Sequence, residues 1–172
     1  PEATADLLAT VATHSERVER RAMVEARLDD GQRLLALNEV FVGHASHQSA
    51  IYRIGFGGSE ERQSSSGVIV ATGTGSTGWA RSIHRERHSS LRLPSPTDPA
   101  LSFFVREAWP SVATGTAITE GVIGRGEELH LTSEMESHGL AFGDGVEADR
   151  VEFGWGCRMK VGVAEERLKL VQ

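Results

Sequence analysis

The segment SGVIVATGTGSTGWARS, residues 66–82, places a short apolar strand pattern directly before a loop of small residues. The β-branched run 68–70 ends at loop 72–78, which holds three glycines and four hydroxyl residues. A helix is expected over residues 76–88, because Ser76 or Thr77 can cap it and because Trp79 and Ile83, four residues apart, mark its buried side. The segment therefore predicts a strand, a tight loop and a helix in direct succession.

The loop itself has the composition of a ligand-binding connection. Backbone N–H groups at a helix N-terminus favour phosphate or ribose oxygens, and glycines let a ligand approach the main chain. Ser76 and Thr77 add hydroxyl groups. The loop is not a phosphate-binding Walker loop, since no Gly-Lys-Ser/Thr follows, and its surroundings are not the βαβ series of a dinucleotide fingerprint. Local chemistry alone favours neither of two interpretations of this loop, a ligand-binding site or a plain connection between strand and helix.

Outside this segment, glycines separate short runs of β-branched and aromatic residues, which is typical of a β-rich protein. We expect an all-β or β-rich α+β fold of stacked antiparallel sheets, similar to a β-sandwich, with about two helices. The second helix is expected over residues 3–14, and residues 89–99, with three prolines, should form an extended loop. The predicted strands cover residues 18–29, 33–43, 49–57, 66–72, 100–106, 118–123, 127–132, 138–143, 149–154 and 157–163.

Size and composition exclude several classes of protein. A chain of 172 residues supports one domain with a proper core, so we treat residues 1–172 as a single unit. The net charge of −6 argues against a nucleic-acid partner, and the absence of a long apolar stretch argues against a membrane partner. The single cysteine, Cys157, excludes an intrachain disulfide framework.

A second polar motif interrupts the apolar segment LLALNEVFVG, where Asn38 and Glu39 stand within a predicted strand. Burying an unpaired carboxylate is costly, so Glu39 should have a partner or face a pocket. The pair could hold the vicinal hydroxyls of a ribose, with the carboxylate accepting from both O–H groups. The alternative is a strand end at which both side chains meet solvent.

Other polar clusters have simpler interpretations. Asp144-Gly145 predicts a hairpin turn between two strands. His84 and His88 share a helical face and could ligate a metal, but no carboxylate or cysteine pattern completes such a site, which favours a solvated helix face. The chain also lacks the GxSxG and HExxH motifs of self-sufficient catalytic sites.

Taken in order, these motifs resemble the C-terminal domain of NAD kinases. The likeness is greatest to the mitochondrial-type branch and its bacterial relatives, and it runs from about residue 25 to the C-terminus. The segment FFVREAW, residues 103–109, is similar to an F-x-REP segment of that branch, and Asp144-Gly145 stands where the family has a hairpin. The matching motifs are ALNEVFVG (36–43), SSG (65–67) and TGTGSTGW (72–79).

The resemblance implies a two-domain enzyme that transfers a phosphoryl group from a nucleoside triphosphate to the 2′-hydroxyl of the adenosine ribose of NAD, giving NADP. In that family an N-terminal α/β domain carries GGDGT, whose aspartate is the catalytic base. This chain contains no GGDGT and does not begin with Met. We therefore expect no catalytic residue in it, little activity in isolation, and ATP and Mg²⁺ binding by the full-length enzyme. The resemblance also implies a homodimer or homotetramer, in the cytoplasm of a bacterium or in the mitochondrial matrix.

The resemblance also assigns binding residues for NAD. Asn38 and Glu39 should lie against a ribose. Ser66 stands where most NAD kinases carry an aspartate, which removes a carboxylate contact to the nicotinamide end. Trp79 replaces the usual tyrosine and keeps an aromatic face for stacking. The remaining residues expected to line the same cleft are Thr74, Gly75, Ser76 and Thr77.

Two other functions remain open at this level. A lipid kinase of the sphingosine or diacylglycerol type shares the two-domain plan, although a lipid acceptor requires an apolar tunnel and the aromatic content is only 6%. A non-catalytic nucleotide-binding module with a regulatory purpose would carry the same binding motifs without an upstream GGDGT.

Overall fold

A computed structural model describes residues 18–171, which form twelve strands, one α-helix and two short 3-10 helices. The helix α1 spans Trp79–Glu86, and the 3-10 helices span Gly75–Thr77 and Glu147–Asp149. The helix predicted over residues 3–14 lies outside the described residues. The strands are β1 (Val18–Leu28), β2 (Arg33–Ala36), β3 (Glu39–His44), β4 (Ala50–Phe56), β5 (Ser59–Ser65), β6 (Val68–Thr72), β7 (Ala100–Val105), β8 (Glu120–Gly124), β9 (Glu128–Ser133), β10 (Gly139–Gly143), β11 (Val151–Glu152) and β12 (Arg158–Val171).

The strands of residues 18–171 form two six-stranded sheets. The first sheet has the order β2-β1-β12-β9-β4-β5, and the second has the order β11-β10-β3-β6-β7-β8. The neighbouring strands in both sheets run antiparallel. The prediction of stacked antiparallel sheets is therefore confirmed.

The main core lies between the sheets and follows from strand alternation. Successive side chains of a strand point to opposite faces, so alternate residues of most strands enter the core. In the second sheet these residues include Val40 and Val42 of β3, Val68 and Val70 of β6, and Leu101, Phe103 and Val105 of β7. The first sheet contributes, among others, Val24, Ala26, Tyr52, Ile54, Leu129, Leu131, Met159 and Val161.

The residues that alternate with this core form a second apolar cluster on the outer face of the second sheet. Helix α1 covers it with Ala80 and Ile83, both buried. The cluster also contains Phe41, Ile69, Ala71, Phe104 and Leu140. The outer face of the second sheet, covered in part by α1, is the face on which Glu39 and the glycine loop before α1 lie.

The continuous strand predicted over residues 33–43 is wrong. β2 belongs to the first sheet and β3 to the second, so the chain crosses between the sheets at Leu37–Asn38. Alternation does not reveal the crossing, because Leu34 and Ala36 before it and Val40 after it all point into the same core. The residues that point into the core therefore keep the same two-residue alternation on both sides of the crossing.

Two further elements differ from the prediction. β5 was not predicted, because its sequence SEERQSS is polar and lies at the edge of the first sheet. Gly57 and Gly58, both at positive φ, form the hairpin turn that pairs it with β4, and this Gly-Gly pair is the local signal for β5. β12 continues to Val171, well beyond the predicted end at residue 163, because β1 pairs along it as far as Val18.

Candidate functional site

The glycine loop after β6 is organised by the hydroxyl of Thr72. Its Oγ1 donates to the carbonyl of Leu37 at 2.6 Å and accepts from the N–H groups of Thr74 at 3.1 Å and Gly75 at 3.2 Å. Ser76 Oγ donates to the Thr72 carbonyl at 2.9 Å, and Thr77 Oγ1 donates to the Thr74 carbonyl at 3.0 Å. The loop hydroxyls thus stabilise the loop itself, and the oxygen lone pairs of Ser76 and Thr77 remain for a ligand.

The predicted capping of the helix by Ser76 or Thr77 is wrong. The chain first makes a 3-10 turn over Gly75–Thr77, and α1 begins at Trp79 with Gly78 as its N-cap. No side chain caps this N-terminus, and its first turn carries no acidic residue. The first N–H groups of α1 are therefore left without a capping side chain.

The Asn38 motif and the glycine loop, 33 or more positions apart in sequence, are in direct contact. The N–H of Thr72 donates to the Asn38 carbonyl at 2.8 Å. Gly75 packs so closely on Asn38 that a Cβ added there would lie 2.1 Å from the same carbonyl oxygen. Only glycine permits this approach, so the two motifs form one corner of the molecule.

Two carboxylates meet at this corner. Asp144, in the turn after β10, accepts the N–H groups of Leu37 at 2.9 Å and Asn38 at 2.6 Å. Glu39 is half-buried on the outer face of β3, and its carboxylate accepts no hydrogen bond from the residues that the structure describes. Burial, and then the charge of Asp144, raise the pKa of Glu39 above its ordinary value.

An aromatic stack stands beside Glu39 on the same sheet face. The rings of Phe41 and Trp79 are stacked, with centroids 5.6 Å apart and planes inclined by 14°, and Phe142 packs on Phe41 at 5.2 Å. The Arg106 guanidinium lies 4.9 Å from the centre of the Trp79 ring. Trp79 remains 36% exposed, so part of its ring is open to a ligand.

Ser66 lies at the opposite end of this face from Glu39. It lines a cavity of about 270 Å³ together with Phe41, His44 and Arg106, among others. β3 and β6 are antiparallel, with Glu39 opposite Ala71 and Val42 opposite Val68. At about 3.4 Å per strand residue, the two ends of β3 lie on the order of 17 Å apart.

The structure therefore brings together most of the predicted binding residues, namely Asn38, Glu39, Thr74, Gly75, Ser76, Thr77 and Trp79, whereas Ser66 stands beyond Phe41. Sequence reasoning missed Phe41, Phe142 and the hydrogen bonding of Asp144. Phe41 had a local signal, since it stands two residues from Glu39 and so shares its side of the strand. Asp144 had none, because its partner Leu37 is 107 positions away.

The histidines and the cysteine take no part in a metal site in residues 18–171, where no group of three or more His, Cys, Asp or Glu side chains could hold an ion. His84 Nε2 lies 2.8 Å from the carbonyl of Leu91, so this side chain joins α1 to the following loop. Burial and the neighbouring Asp29 raise the pKa of the Cys157 thiol to about 11, which disfavours a nucleophilic thiolate.

Comparison with known proteins gives a consistent result. No protein-family model matches the chain. The mitochondrial NAD kinase 2 of Rattus norvegicus is 32% identical over 130 residues, covering 51% of this chain and 31% of that protein. The mitochondrial NAD kinase 2 of Homo sapiens is 32% identical over 124 residues, covering 51% of this chain and 28% of that protein.

The crystal structure of yeast NADH kinase complexed with NADH has the same fold, with a TM-score of 0.72 and 18% sequence identity. The match covers 99% of this chain and 48% of the yeast chain. This chain thus spans less than a third of the curated relatives and about half of the yeast enzyme. The sequence similarity to NAD kinases, the shared β-rich fold and the motifs gathered at one corner together show that this chain is similar to the C-terminal domain of the NAD kinase family.

Proposed function

We propose that this chain is the NAD-binding domain of an NAD kinase, an enzyme that transfers a phosphoryl group from a nucleoside triphosphate to the 2′-hydroxyl of the adenosine ribose of NAD and forms NADP. One observation carries the proposal. The half-buried Glu39 carboxylate, without a hydrogen-bond donor in residues 18–171, stands beside a stacked aromatic pair on the same face.

The chemistry of this corner suits an adenosine. A carboxylate accepts hydrogen bonds from two vicinal hydroxyls, and a ribose supplies that pair of donors. A half-buried carboxylate without donors gains from such a partner, because an unpaired polar group is costly away from water. The exposed part of Trp79, backed by Phe41, offers a flat surface on which a purine stacks.

The glycine loop supplies rigidity to the same corner. Ser76 and Thr77 donate their hydroxyl protons inside the loop, and Thr72 donates its proton to the Leu37 carbonyl, so the main chain of the loop is held in one conformation against Asn38. Phosphoryl transfer depends mostly on positioning and electrostatics, and a rigid binding surface serves both. In this proposal the domain orients the acceptor ribose and does not itself remove its proton.

The catalytic base and much of the site for the phosphate donor would come from residues outside this chain, as the family resemblance implies. The described residues offer no ligand set that fits Mg²⁺, so no step is assigned to a metal here. We accordingly expect the domain alone to bind NAD and to turn it over poorly or not at all.

Isothermal titration of NAD into the purified chain tests the proposal. We expect saturable binding, and we expect Glu39→Gln to weaken it by about tenfold, since a hydrogen bond to a charged group contributes roughly 1.5–3 kcal/mol. Glu165→Gln is the matched control, because Glu165 is exposed on β12 in the other sheet. Wild-type affinity in a correctly folded Glu39→Gln variant would contradict the proposal.

A second experiment separates the proposed kinase from the two alternatives. The chain is joined to a GGDGT domain of a related NAD kinase, and phosphorylation of NAD and of sphingosine or diacylglycerol is measured. NADP formation supports the proposal, lipid phosphorylation without NADP favours a lipid kinase, and NAD binding without any turnover favours a regulatory module. The two arginines beside the glycine loop, Arg81 and Arg85, line a cavity there, which suits an anion better than an acyl chain.

Assembly and location belong to the same proposal. We expect a homodimer or homotetramer, in a bacterial cytoplasm or in the mitochondrial matrix. Among the described residues, no helix has the length and apolar character needed to cross a membrane. Size-exclusion chromatography with light scattering measures the oligomeric state directly.

A further inference from the structure

A second cavity lies on the other side of α1 from the aromatic stack. Its volume is about 500 Å³, and it is bounded by α1, the glycine loop and the proline-rich segment 91–96. At 3.6 residues per turn, Arg81, His84 and Arg85 share one side of the helix, whereas Trp79 points away from them. Glu39 and Trp79 do not line this cavity, although the glycine loop and the same short helix border both it and the Glu39 corner.

The charge of this cavity is unusual for the molecule. Arg81 and Arg85 are exposed, and neither forms an ion pair with any residue of 18–171. The residues that line the cavity include no acid, although the chain carries a net charge of −6. By contrast, Arg33, Arg53 and Arg62 are all paired with glutamates.

The opposite wall of the cavity carries no negative charge. It consists of Gly73, Ser76 and Thr77, at the point where the glycine loop enters α1. The helix N-terminus beside them has no capping side chain and no acidic residue in its first turn. The positive end of the helix dipole is therefore not neutralised by the protein, and it adds to the field of the two guanidinium groups.

Segment 91–96 holds the cavity open. A Cβ added at Gly73 would lie 2.0 Å from the Ser95 carbonyl oxygen, so the loop and the segment are in direct backbone contact. The segment is held in turn by β1, because the N–H of Ala22 donates to the Pro96 carbonyl at 2.9 Å, and by the bond from His84 to the Leu91 carbonyl. The cavity wall is thus built from fixed backbone on two sides.

From these observations we propose that the cavity binds a chain of phosphate groups, with Arg81 and Arg85 contacting the phosphoryl oxygens. A guanidinium group presents parallel N–H donors that match two oxygens of one phosphate. Two such groups one helical turn apart fit two successive phosphates. The proposal rests on the proposed function only for the source of these phosphates, which is either the triphosphate of the donor nucleotide or the diphosphate of NAD.

The first test is isothermal titration with sodium tripolyphosphate at constant ionic strength. The wild-type chain should bind it saturably, and the double variant Arg81→Gln/Arg85→Gln should raise the Kd at least about tenfold, which corresponds to 1.4 kcal/mol. The control is Arg158→Gln/Lys160→Gln, which removes the same charge from exposed positions on β12 in the first sheet. We expect that control to change the Kd less than twofold.

The outcomes that overturn the proposal are clear. Equal losses in the two double variants would mean that tripolyphosphate responds only to net charge. An unchanged Kd in Arg81→Gln/Arg85→Gln, or no wild-type binding at millimolar tripolyphosphate, would also refute the site. Thermal melting checks that both variants fold, and a single Arg85→Gln variant replaces the double one if the latter is unstable.

Titrations with ATP and with NAD then identify the source of the phosphates. Weaker ATP binding with unchanged NAD binding in Arg81→Gln/Arg85→Gln assigns the cavity to a nucleoside triphosphate, and the reverse assigns it to the diphosphate of the dinucleotide. Glu39→Gln should alter NAD binding and leave tripolyphosphate binding unchanged. A chain that binds tripolyphosphate through Arg81 and Arg85 but does not bind NAD would refute the proposed function and leave this site standing.

Discussion

Replacing Asp144 by asparagine should destabilise the fold at the point where the chain crosses between the sheets. The two carboxylate oxygens accept the N–H groups of Leu37 at 2.9 Å and Asn38 at 2.6 Å. Asparagine keeps one acceptor oxygen, but its amide NH₂ group faces the other backbone N–H, so one hydrogen bond is lost and the other loses its charge. Asp144 has a φ of 53°, a region that asparagine also adopts, so backbone strain adds nothing.

The expected loss follows from these contacts. A hydrogen bond to a charged acceptor contributes roughly 1.5–3 kcal/mol, and the exposure of Asp144 places its bonds near the lower end. Removing the charge also relieves its repulsion of Glu39, which offsets part of the loss. We expect a net decrease of about 1–2 kcal/mol in the free energy of unfolding, or roughly 2–8 °C in Tm for a chain of this size.

Thermal melting by circular dichroism at pH 7 measures this effect, with Asp149→Asn as the charge-matched control on an exposed residue of the neighbouring 3-10 helix. In a Glu39→Gln background the Asp144→Asn loss should be larger, because no repulsion remains to be relieved. If Asp144→Asn melts at the same temperature as Asp149→Asn, the carboxylate does not hold the crossing and the reasoning fails.

Two further predictions concern the same corner. Since burial and Asp144 raise the pKa of Glu39 in the folded chain, the folded state binds more protons than the unfolded state between the ordinary glutamate pKa, about 4.3, and the raised value. The stability of the wild type should therefore fall relative to Glu39→Gln as the pH rises through this window. Melting curves of both proteins from pH 4 to pH 8 test the sign, and a constant difference in Tm would contradict it. Gly75→Ala should lower stability by at least about 2 kcal/mol, since its Cβ would lie 2.1 Å from the Asn38 carbonyl oxygen, whereas Gly154→Ala, with open space around it, is the control. Denaturant unfolding of the two variants measures the difference. Equal midpoints would show that the backbone around Asn38 accommodates the added methyl group without loss of stability.

Much of the fold could be predicted from local pattern. Strand β6 was expected because Val68–Val70 is β-branched and bounded by glycines, and α1 was expected because Trp79 and Ile83 recur at helical spacing. The contact between the Asn38 motif and the glycine loop was expected from the family resemblance, and the structure places the two together. Its use for binding NAD stays a proposal.

Residue type and spacing determine which segments become strands, turns and helices, because those preferences arise from neighbouring residues. The crossing at Leu37–Asn38, the arrival of Asp144 beside Glu39 and the pairing of β1 along the whole of β12 depend on residues about a hundred or more positions apart. No local pattern encodes such contacts, since the inward alternation is the same whether a strand stays in one sheet or passes to the other. The acidic pair exists only because long-range strand pairing brings Asp144 beside Glu39.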